Sequence, residues 1–518
     1  MELIVIRTDA SQKLGSGHIM RCLTLAENLR NLGITIEFIT RNHPGNLSEQ
    51  VERKGFKVHS LINIDKTQSQ TNLIKQEKLL GVKQLTDSNA TVQILANRRP
   101  DWIIVDHYSL DYRWEEKVRP YTKKIMVIDD LANRKHNCDL LLDQNYIYDQ
   151  TRYDQVLLTD TIKLLGPKYA LLRKDFIKNR KNHNQNNFII KNVFVFFGGT
   201  DFDNLTIMSL KALSQPKLKH LSVDVVIGSA NPHKLKLKTE IDKHPNMELY
   251  IQIDNMAELM AKADIAIGAG GTTTWERMVI GIPSIVVTLA DNQVDLTRDL
   301  SQDGYINWIG NADQVDEWVI YNALIEAIKN PDQLREQACS CQNLVNGKGA
   351  QVVADLLING PSADILVMRR AKSSDALLYW CWANDLTVRE SAFNQKSIKW
   401  RGHQIWFEKR LKDVNAILLI LECDFGSVGQ VRFDRSGSNY KIDYSIAKQF
   451  RGFGLGKEML KKAIDYLQEK HAYTLIGEVK KGNLASKKIF EELGFSKISS
   501  PRYGVDLFQL QYVPQLQN

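Results

Sequence analysis

Leu3-Ile4-Val5-Ile6, Arg7-Thr8-Asp9-Ala10-Ser11 and Gly15-Ser16-Gly17-His18 open the chain, and the segment after them carries Ile19, Cys22, Leu23, Ala26 and Leu29 at helical spacing. An apolar run, a polar turn, a glycine turn and a helix begin an α/β unit. Glycine lets the backbone approach a ligand closely. The helix starting there presents unpaired N–H groups and a partial positive charge, which suit an anion. His18 falls in the first turn, where the helix end disfavours its charged form, and a neutral imidazole accepts a proton near neutral pH. The stretch reads as a catalytic base beside a phosphate-bearing substrate. The plainer alternative is a turn glycine pair with a surface histidine.

The same pattern continues. Thr35–Ile39, Trp102–Val105, Ile125–Ile128 and Leu140–Leu142 read as strands, the last three ending in Asp106-His107-Tyr108, Asp129-Asp130 and Asp143-Gln144-Asn145. Continuous apolar runs between helices predict parallel strands covered on both faces. Ligands bind at the carboxyl edge of such sheets, which makes Asp106 and Tyr108 candidates. The polar stretch Lys178–Asn187 reads as a linker to a second alternating domain. There Val193–Phe197 runs into Gly198-Gly199-Thr200-Asp201, with a helix expected near Asp203. Val223–Ile227, Glu248–Ile251 and Ile265–Ile267 follow, and the last leads into Gly268-Ala269-Gly270-Gly271-Thr272-Thr273-Thr274-Trp275-Glu276. This second glycine turn can cradle a diphosphate through backbone N–H groups and threonine hydroxyls. Glu276, one turn into the helix, can take both hydroxyls of a ribose. Neither turn has the dinucleotide glycine spacing. Ile282–Val287 is a further strand before Asp291-Asn292-Gln293, and helices from about 314 to 357 close the domain.

Asn359-Gly360-Pro361-Ser362 marks the next boundary. The strand Tyr440–Ile446 leads to Arg451-Gly452-Phe453-Gly454-Leu455-Gly456 and an amphipathic helix through Leu467. With Arg451 and Lys457 beside it, this glycine loop suits a pyrophosphate. Thr474–Val479 is a second strand, followed by Asn483 and a helix ending at Gly494-Phe495. The expected domains are therefore 1–180, 188–357 and 362–518.

Composition agrees. A chain of 518 residues with 43% hydrophobic residues builds about three domains, each with its own core. Lys plus Arg number 68 against 60 Asp plus Glu, a net +8 without a basic block, which fits anionic small molecules and gives no footprint for nucleic acid. Of six cysteines only Cys339-Ser340-Cys341 are close, with no histidine at ligand spacing, so no metal is expected. Sparse cysteines, no long apolar run and a strand at the very start predict a reduced, cytoplasmic protein with no membrane segment.

The N-terminal two-thirds resembles the UDP-2,4-diacetamido-2,4,6-trideoxy-β-L-altropyranose hydrolases of pseudaminic acid biosynthesis. The matching residues are Arg7–Ser11, Gly15–Ala26 including Arg21, Val105–Tyr108 with Trp114-Glu115, Ile128–Ala132 and Leu165–Arg173. Phe197–Asp201, with Gly199, the turn Gly270–Glu276 and Asp291-Asn292-Gln293 complete the set. The resemblance implies two Rossmann-like domains in a GT-B-type arrangement, no metal, and water attacking the anomeric carbon with UDP leaving. It also implies His18 as base, Tyr108 and Asn292 in the sugar pocket, Gly270, Gly271, Thr272 and Thr273 at the diphosphate and Glu276 at the ribose. Gly15, Gly17, Arg21, Gly199 and Gln293 would complete the substrate site. On this reading the second turn holds the nucleotide, and the first faces it across a cleft, placing His18 and water at the sugar.

The C-terminal third resembles the GNAT acetyltransferases through Arg451–Gly456, Glu478–Asn483, Ser486 and Gly494-Phe495, with Leu378–Trp380, Arg389 and His403–Phe407 upstream. The resemblance implies an α/β domain using acetyl-CoA, with Arg451, Gly452, Gly454, Gly456, Lys457 and Asn483 at the cofactor and Glu478 as base. Many members place a tyrosine seven residues past the motif asparagine, as acid for the leaving thiolate. Phe490 stands there instead, so Tyr444 and Tyr503 are both candidates. The two parts fit one chemistry: acetylation of the 4-amine of a UDP-sugar, then hydrolysis releasing UDP. The alternatives are a GT-B glycosyltransferase using a UDP-sugar donor, the same chemistry on another UDP-diacetamido-trideoxyhexose, and a ligand-sensing module.

Overall fold

A computed structural model describes residues 1–11, 14–62, 77–146, 148–149, 151–181, 188–361, 366–423, 426–467 and 472–512. Residues 182–187 of the expected linker and Ser362 of the expected boundary lie outside the described residues. The chain divides into two compact units, Met1–Ala354 and Asp355–Asn518.

The first unit holds two parallel sheets. Strands β1 (Leu3–Thr8), β2 (Thr35–Arg41), β3 (Lys57–Leu61), β4 (Trp102–Asp106), β5 (Lys124–Ile128), β6 (Leu140–Asp143) and β7 (Ile162–Leu165) lie in the order β3-β2-β1-β4-β5-β6-β7. Strands β8 (Asn192–Phe196), β9 (Ser222–Ile227), β10 (Met247–Ile251), β11 (Ile265–Ala269), β12 (Ser284–Thr288) and β13 (Asn307–Asn311) lie in the order β10-β9-β8-β11-β12-β13. Every pairing in both sheets is parallel. Central strands such as β4 and β12 are buried along their whole length, as their unbroken apolar runs predict. Strand order reverses between β1 and β4 and again between β8 and β11, and crevices open at the carboxyl ends of such pairs. The first is where Asp9, His18, Asp106 and Tyr108 gather. The second is bounded by Gly198–Asp201 and by the turn after Ala269.

The reading of Arg7–Ser11 as a turn needs correction at its start: β1 runs on through Arg7 and Thr8, both fully buried. The helix expected near Asp203 spans Leu205–Leu213, and Asp201 accepts from the backbone N–H groups of Leu205 and Thr206, both at 3.0 Å. In this unit three strands were not expected: β3, β7 and β13. Each is an edge or near-edge strand, too short or too polar to show a continuous apolar run.

The second unit is a mixed sheet of β14 (Val367–Arg370), β15 (Ala416–Cys423), β16 (Gly426–Ser436), β17 (Asn439–Ile446), β18 (Tyr473–Lys480), β19 (Ser496–Ile498) and β20 (Val505–Tyr512). Its order is β14-β15-β16-β17-β18-β20-β19, antiparallel except for β17 with β18. That parallel ladder runs only from Asn439↔Thr474 to Ile442↔Gly477. Beyond it, β17 stays paired with β16 through Ile446, and β18 with β20 through Lys480. The two central strands therefore part into a wedge between 443–446 and 478–480. No helix among the described residues is long and apolar enough to cross a membrane.

Candidate functional site

The helix after β1 spans Gly17–Asn31, and its first turn carries His18. Gly15 has a φ of +75°, a conformation glycine adopts without strain, and its N–H donates to the Ser11 carbonyl at 2.8 Å. From the end of β4, Asp106 meets this turn. Its Oδ1 lies 2.5 Å from His18 Nδ1, and Arg21 donates to it through Nε at 2.7 Å and Nη2 at 2.7 Å. All three side chains are buried. Burial works against a charged Asp106, but the neighbouring Arg21 guanidinium and His18 outweigh it and hold its carboxyl well below the usual carboxylate range. An ionised carboxylate only accepts, so the hydrogen bond assigns the proton to Nδ1 and leaves Nε2 as the basic nitrogen. The helix end is thus not the nearest electrostatic partner of His18; Asp106 is.

Tyr108 stands edge-on to the His18 ring, centroids 4.5 Å apart, and donates to Asp130 Oδ2 at 3.3 Å. Burial, then the Asp130 charge, pushes its phenol up, so it remains a hydrogen-bond donor. Arg21 also reaches Asp130, at 3.2 Å. The structure therefore brings His18, Arg21 and Tyr108 together. It places Arg21 as the clamp on Asp106 and Asp130, a contact that sequence spacing could not show.

The second turn leads into the helix Thr273–Ile280, with Thr272 at the N-cap position and no side-chain cap on its N–H groups. A Cβ on Gly270 would stand 2.6 Å from Thr297 Oγ1, so the turn closes tightly against the helix Asp291–Gln302. Gln293 lies behind it and accepts from the Leu289 N–H at 3.0 Å, while Asn292 is exposed one residue earlier. Gly199 packs against Gly228, where an added Cβ would meet the Gly199 carbonyl at 2.4 Å. Glu276 faces Arg173, Oε1 to Nη2 at 3.7 Å. Burial raises the Glu276 carboxyl and Arg173 opposes that rise. Arg173 was visible only as the last residue of the Leu165–Arg173 stretch. Arg277 was not anticipated: fully buried, it donates to the Ala269 carbonyl at 2.9 Å and to Thr274 Oγ1 at 3.1 Å. Burial lowers it to about 10. It ties the strand end to the helix start, and so fixes the shape of the turn.

The two turns meet. A Cβ on Gly17 would lie 3.8 Å from both Cγ2 and Oγ1 of Thr272. Gly17, Met20, Thr24 and Asn28 form one stripe of the first helix. Of that stripe, Met20, Thr24 and Asn28 line a cleft of ≈ 990 Å³ together with Arg173, Gln252 and Asp254. His18, Thr272 and Glu276 are not among the residues that line this cleft; the first turn meets the second through Gly17 and Thr272, and Arg173, which faces Glu276, stands at the cleft's wall.

In the second unit, Gly452 and Gly454 have φ of +82° and +74°, and the helix Leu455–Leu467 starts directly after them. Arg451 does not extend over this loop: it donates to the Ile446 carbonyl at 3.0 Å and to Asp385 Oδ1 at 2.7 Å. Lys457 pairs with Glu492 at 3.1 Å, and a Cβ on Gly456 would meet Ile489 at 2.8 Å. Glu478 lies at the wedge and pairs with Lys441 at 2.9 Å. Asn483 caps the helix Leu484–Glu492, accepting from Ser486 N–H at 3.1 Å.

Residues 192–346 match the family model described as the glycosyltransferase family 28 C-terminal domain, and residues 366–496 match the acetyltransferase (GNAT) domain. Over 521 residues the chain is 26% identical to an uncharacterized Methanocaldococcus jannaschii protein, covering 96% of this chain and 98% of that one. It is 24% identical over 303 residues to the UDP-2,4-diacetamido-2,4,6-trideoxy-beta-L-altropyranose hydrolase of Campylobacter jejuni, covering 58% of this chain and 97% of the relative. Among solved structures, the glycotransferase of kitacinnamycin superposes with a TM-score of 0.50 at 14% identity, over 68% of this chain and 98% of that one. The chain thus joins a part similar to nucleotide-sugar hydrolases, with two Rossmann-like lobes in a GT-B-type arrangement, to a GNAT domain.

Proposed function

We propose that the first unit hydrolyses a UDP-2,4-diacetamido-2,4,6-trideoxyhexose, UDP-2,4-diacetamido-2,4,6-trideoxy-β-L-altropyranose by its likeness to the relative, to the free sugar and UDP. One observation carries this reading: the glycine turn that presents His18, paired with Asp106 from the end of β4, lies through Gly17 against Thr272 of the turn that leads to Glu276. His18 Nε2 takes a proton from water as the water oxygen bonds to the anomeric carbon. The carbon–oxygen bond to the diphosphate breaks, and UDP leaves with that electron pair. The N–H groups at Gly271–Thr273 and the threonine hydroxyls offset charge on the leaving diphosphate. Tyr108 and Asn292 orient the sugar, with Gly15, Gly17 and Gly199 allowing close approach and Gln293 supporting the cradle. Glu276 holds the ribose.

The second unit acetylates the 4-amine of the UDP-sugar precursor with acetyl-CoA, making the substrate of the first. Its positive-φ glycine loop before a helix and its strand wedge fit a pyrophosphate and an extended thioester arm. Gly452, Gly454, Gly456 and Asn483 shape that site, and Glu478 serves as base. Arg451 and Lys457 reach the pyrophosphate only by leaving Asp385 and Glu492.

Purified full-length protein given the UDP-4-amino sugar and acetyl-CoA is expected to yield the free diacetamido sugar, CoA and UDP, read by mass spectrometry. Acetylated nucleotide sugar that accumulates without UDP overturns the hydrolase assignment. Sugar passed to an added acceptor faster than to water favours a glycosyltransferase. Glu276→Ala is expected to weaken UDP binding about 10- to 100-fold by calorimetry, since a hydrogen bond to a charged group is worth about 1.5–3 kcal/mol. The same substitution leaves 2′,3′-dideoxy-UDP binding nearly unchanged if the carboxylate holds the ribose.

A further inference from the structure

The acetyl-transfer reading leaves one chemical role unassigned. Expelling a thiolate calls for a proton donor, and Phe490 cannot be one. The structure also explains why a hydroxyl is unsuited there. Phe490 is 2% exposed, stacked on Phe508 with centroids 5.5 Å apart and set edge-on to Phe495 at 4.8 Å. Its Cζ lies 2.4 Å from where a Gly477 Cβ would stand, so the tip of the ring is pressed on β18 and points into packed strand. Position 490 is a core position in this chain.

Of the two tyrosines left open by the sequence, Tyr503 is 100% exposed, with no enclosed surroundings for a reaction. Tyr444 differs in every respect. It lies on β17 two residues past Ile442, the last residue paired with β18, and so within the wedge that Glu478 borders from the other strand. Its ring is half-buried, edge-on to Phe490 with centroids 6.1 Å apart. Its hydroxyl donates to Ser486 Oγ at 2.9 Å, on the first turn of the helix that Asn483 caps.

We propose that Tyr444, linked through Ser486 to solvent, is the proton donor to the departing thiolate of an acetyl thioester bound along the β17–β18 wedge. The inference rests on the acetyltransferase reading of the second unit. In the step, the neutral amine nitrogen bonds to the acetyl carbon and gives its surplus proton to Glu478 or water. The carbon–sulfur bond breaks with its electron pair on sulfur. The Tyr444 O–H proton moves to that sulfur, giving the free thiol, and the phenolate regains a proton through the Ser486 hydroxyl from water. Burial pushes the Tyr444 phenol up, with Ser486 opposing, which keeps the donor protonated at neutral pH.

Two measurements on the full chain test this. The first needs no acceptor sugar: bound CoA is titrated by its ultraviolet thiolate absorbance. A donor aimed at sulfur stabilises the thiolate, so the titration falls at lower pH in wild type than in Tyr444→Phe, with CoA affinity equal in both. Superimposable titrations overturn the assignment, whatever the acceptor proves to be. The second is turnover with the UDP-4-amino sugar. Tyr444→Phe is expected to lower kcat about 10²-fold, with KM for acetyl-CoA unchanged and the alkaline limb of the kcat profile lost. Ser486→Ala shifts that limb, and Tyr503→Phe changes neither parameter. Full activity in Tyr444→Phe, or a loss in Tyr503→Phe instead, overturns the proposal. A wild type that shifts the CoA titration yet ignores the amino sugar overturns the acceptor reading and leaves Tyr444 as the sulfur's donor.

Discussion

His18→Ala lowers UDP release from the sugar nucleotide by about 10²–10⁴-fold, the usual contribution of a positioned general base, while UDP still binds. The two effects separate because the ring and the turn proposed to cradle the nucleotide belong to different lobes. Asp106→Asn is the sharper test. The carboxylate accepts from Nδ1, so the proton is kept there and Nε2 keeps its lone pair. An amide in its place can turn its NH2 toward Nδ1, which moves the ring proton to Nε2 and blocks the base, although that NH2 also faces Arg21 Nη2 and leaves Arg21 only the amide oxygen at the Oδ2 position. The expected result is a kcat loss approaching that of His18→Ala, with KM changed little. Single-turnover UDP release separates the two, because a merely structural defect would alter substrate binding as well. Near-normal hydrolysis in His18→Ala would remove the base assignment. Normal hydrolysis in Asp106→Asn would leave the base and remove its partner.

The sequence made the α/β plan readable because buried parallel strands are short apolar runs, as at Ile103–Val105 and Val193–Phe197, and because glycine turns follow two of them. What it could not show are contacts closed by the fold. Asp106 stands 88 residues from His18, and no local period connects them. Arg21 carries the same limit: its helical position is legible, but its two carboxylate partners come from the ends of β4 and β5. Edge strands such as β13, Asn-Trp-Ile-Gly-Asn, escape because a half-exposed strand has no continuous apolar signature. In the GNAT domain the glycine loop was plain, whereas the turning of Arg451 to Asp385 depends on a helix cap 66 residues upstream.

Asp87→Ala is expected to destabilise the first lobe by about 3–5 kcal/mol, the cost of leaving buried charge without its partner. Asp87 accepts from Arg7 Nε at 3.1 Å and Nη2 at 2.7 Å, from Arg41 Nη2 at 2.6 Å and from Trp114 Nε1 at 3.0 Å, all buried. Without it, the Arg7 guanidinium on β1 keeps Asp9, while the Arg41 guanidinium on β2 loses its carboxylate partner and keeps the Ile62 carbonyl at 2.8 Å. Hydrogen exchange of the β1 amides in the full chain measures the effect, since a chain of several domains has no single unfolding free energy. The pH dependence has a definite sign. Burial raises both the Asp9 and Asp87 carboxyls, but the Arg7 guanidinium outweighs it, and both end below the usual range. Their stabilisation is therefore present above the unfolded carboxyl value near ~4 and is lost as pH falls below it. Asp87→Asn makes that acid loss shallower. A mild effect of Asp87→Ala at neutral pH would mean that Asp9 holds Arg7, and the Ile62 carbonyl with the strand packing holds Arg41, unaided. A large one would mean that the β1–β4 crevice, where Asp106 and His18 meet, owes its shape to a charge cluster that never touches the substrate.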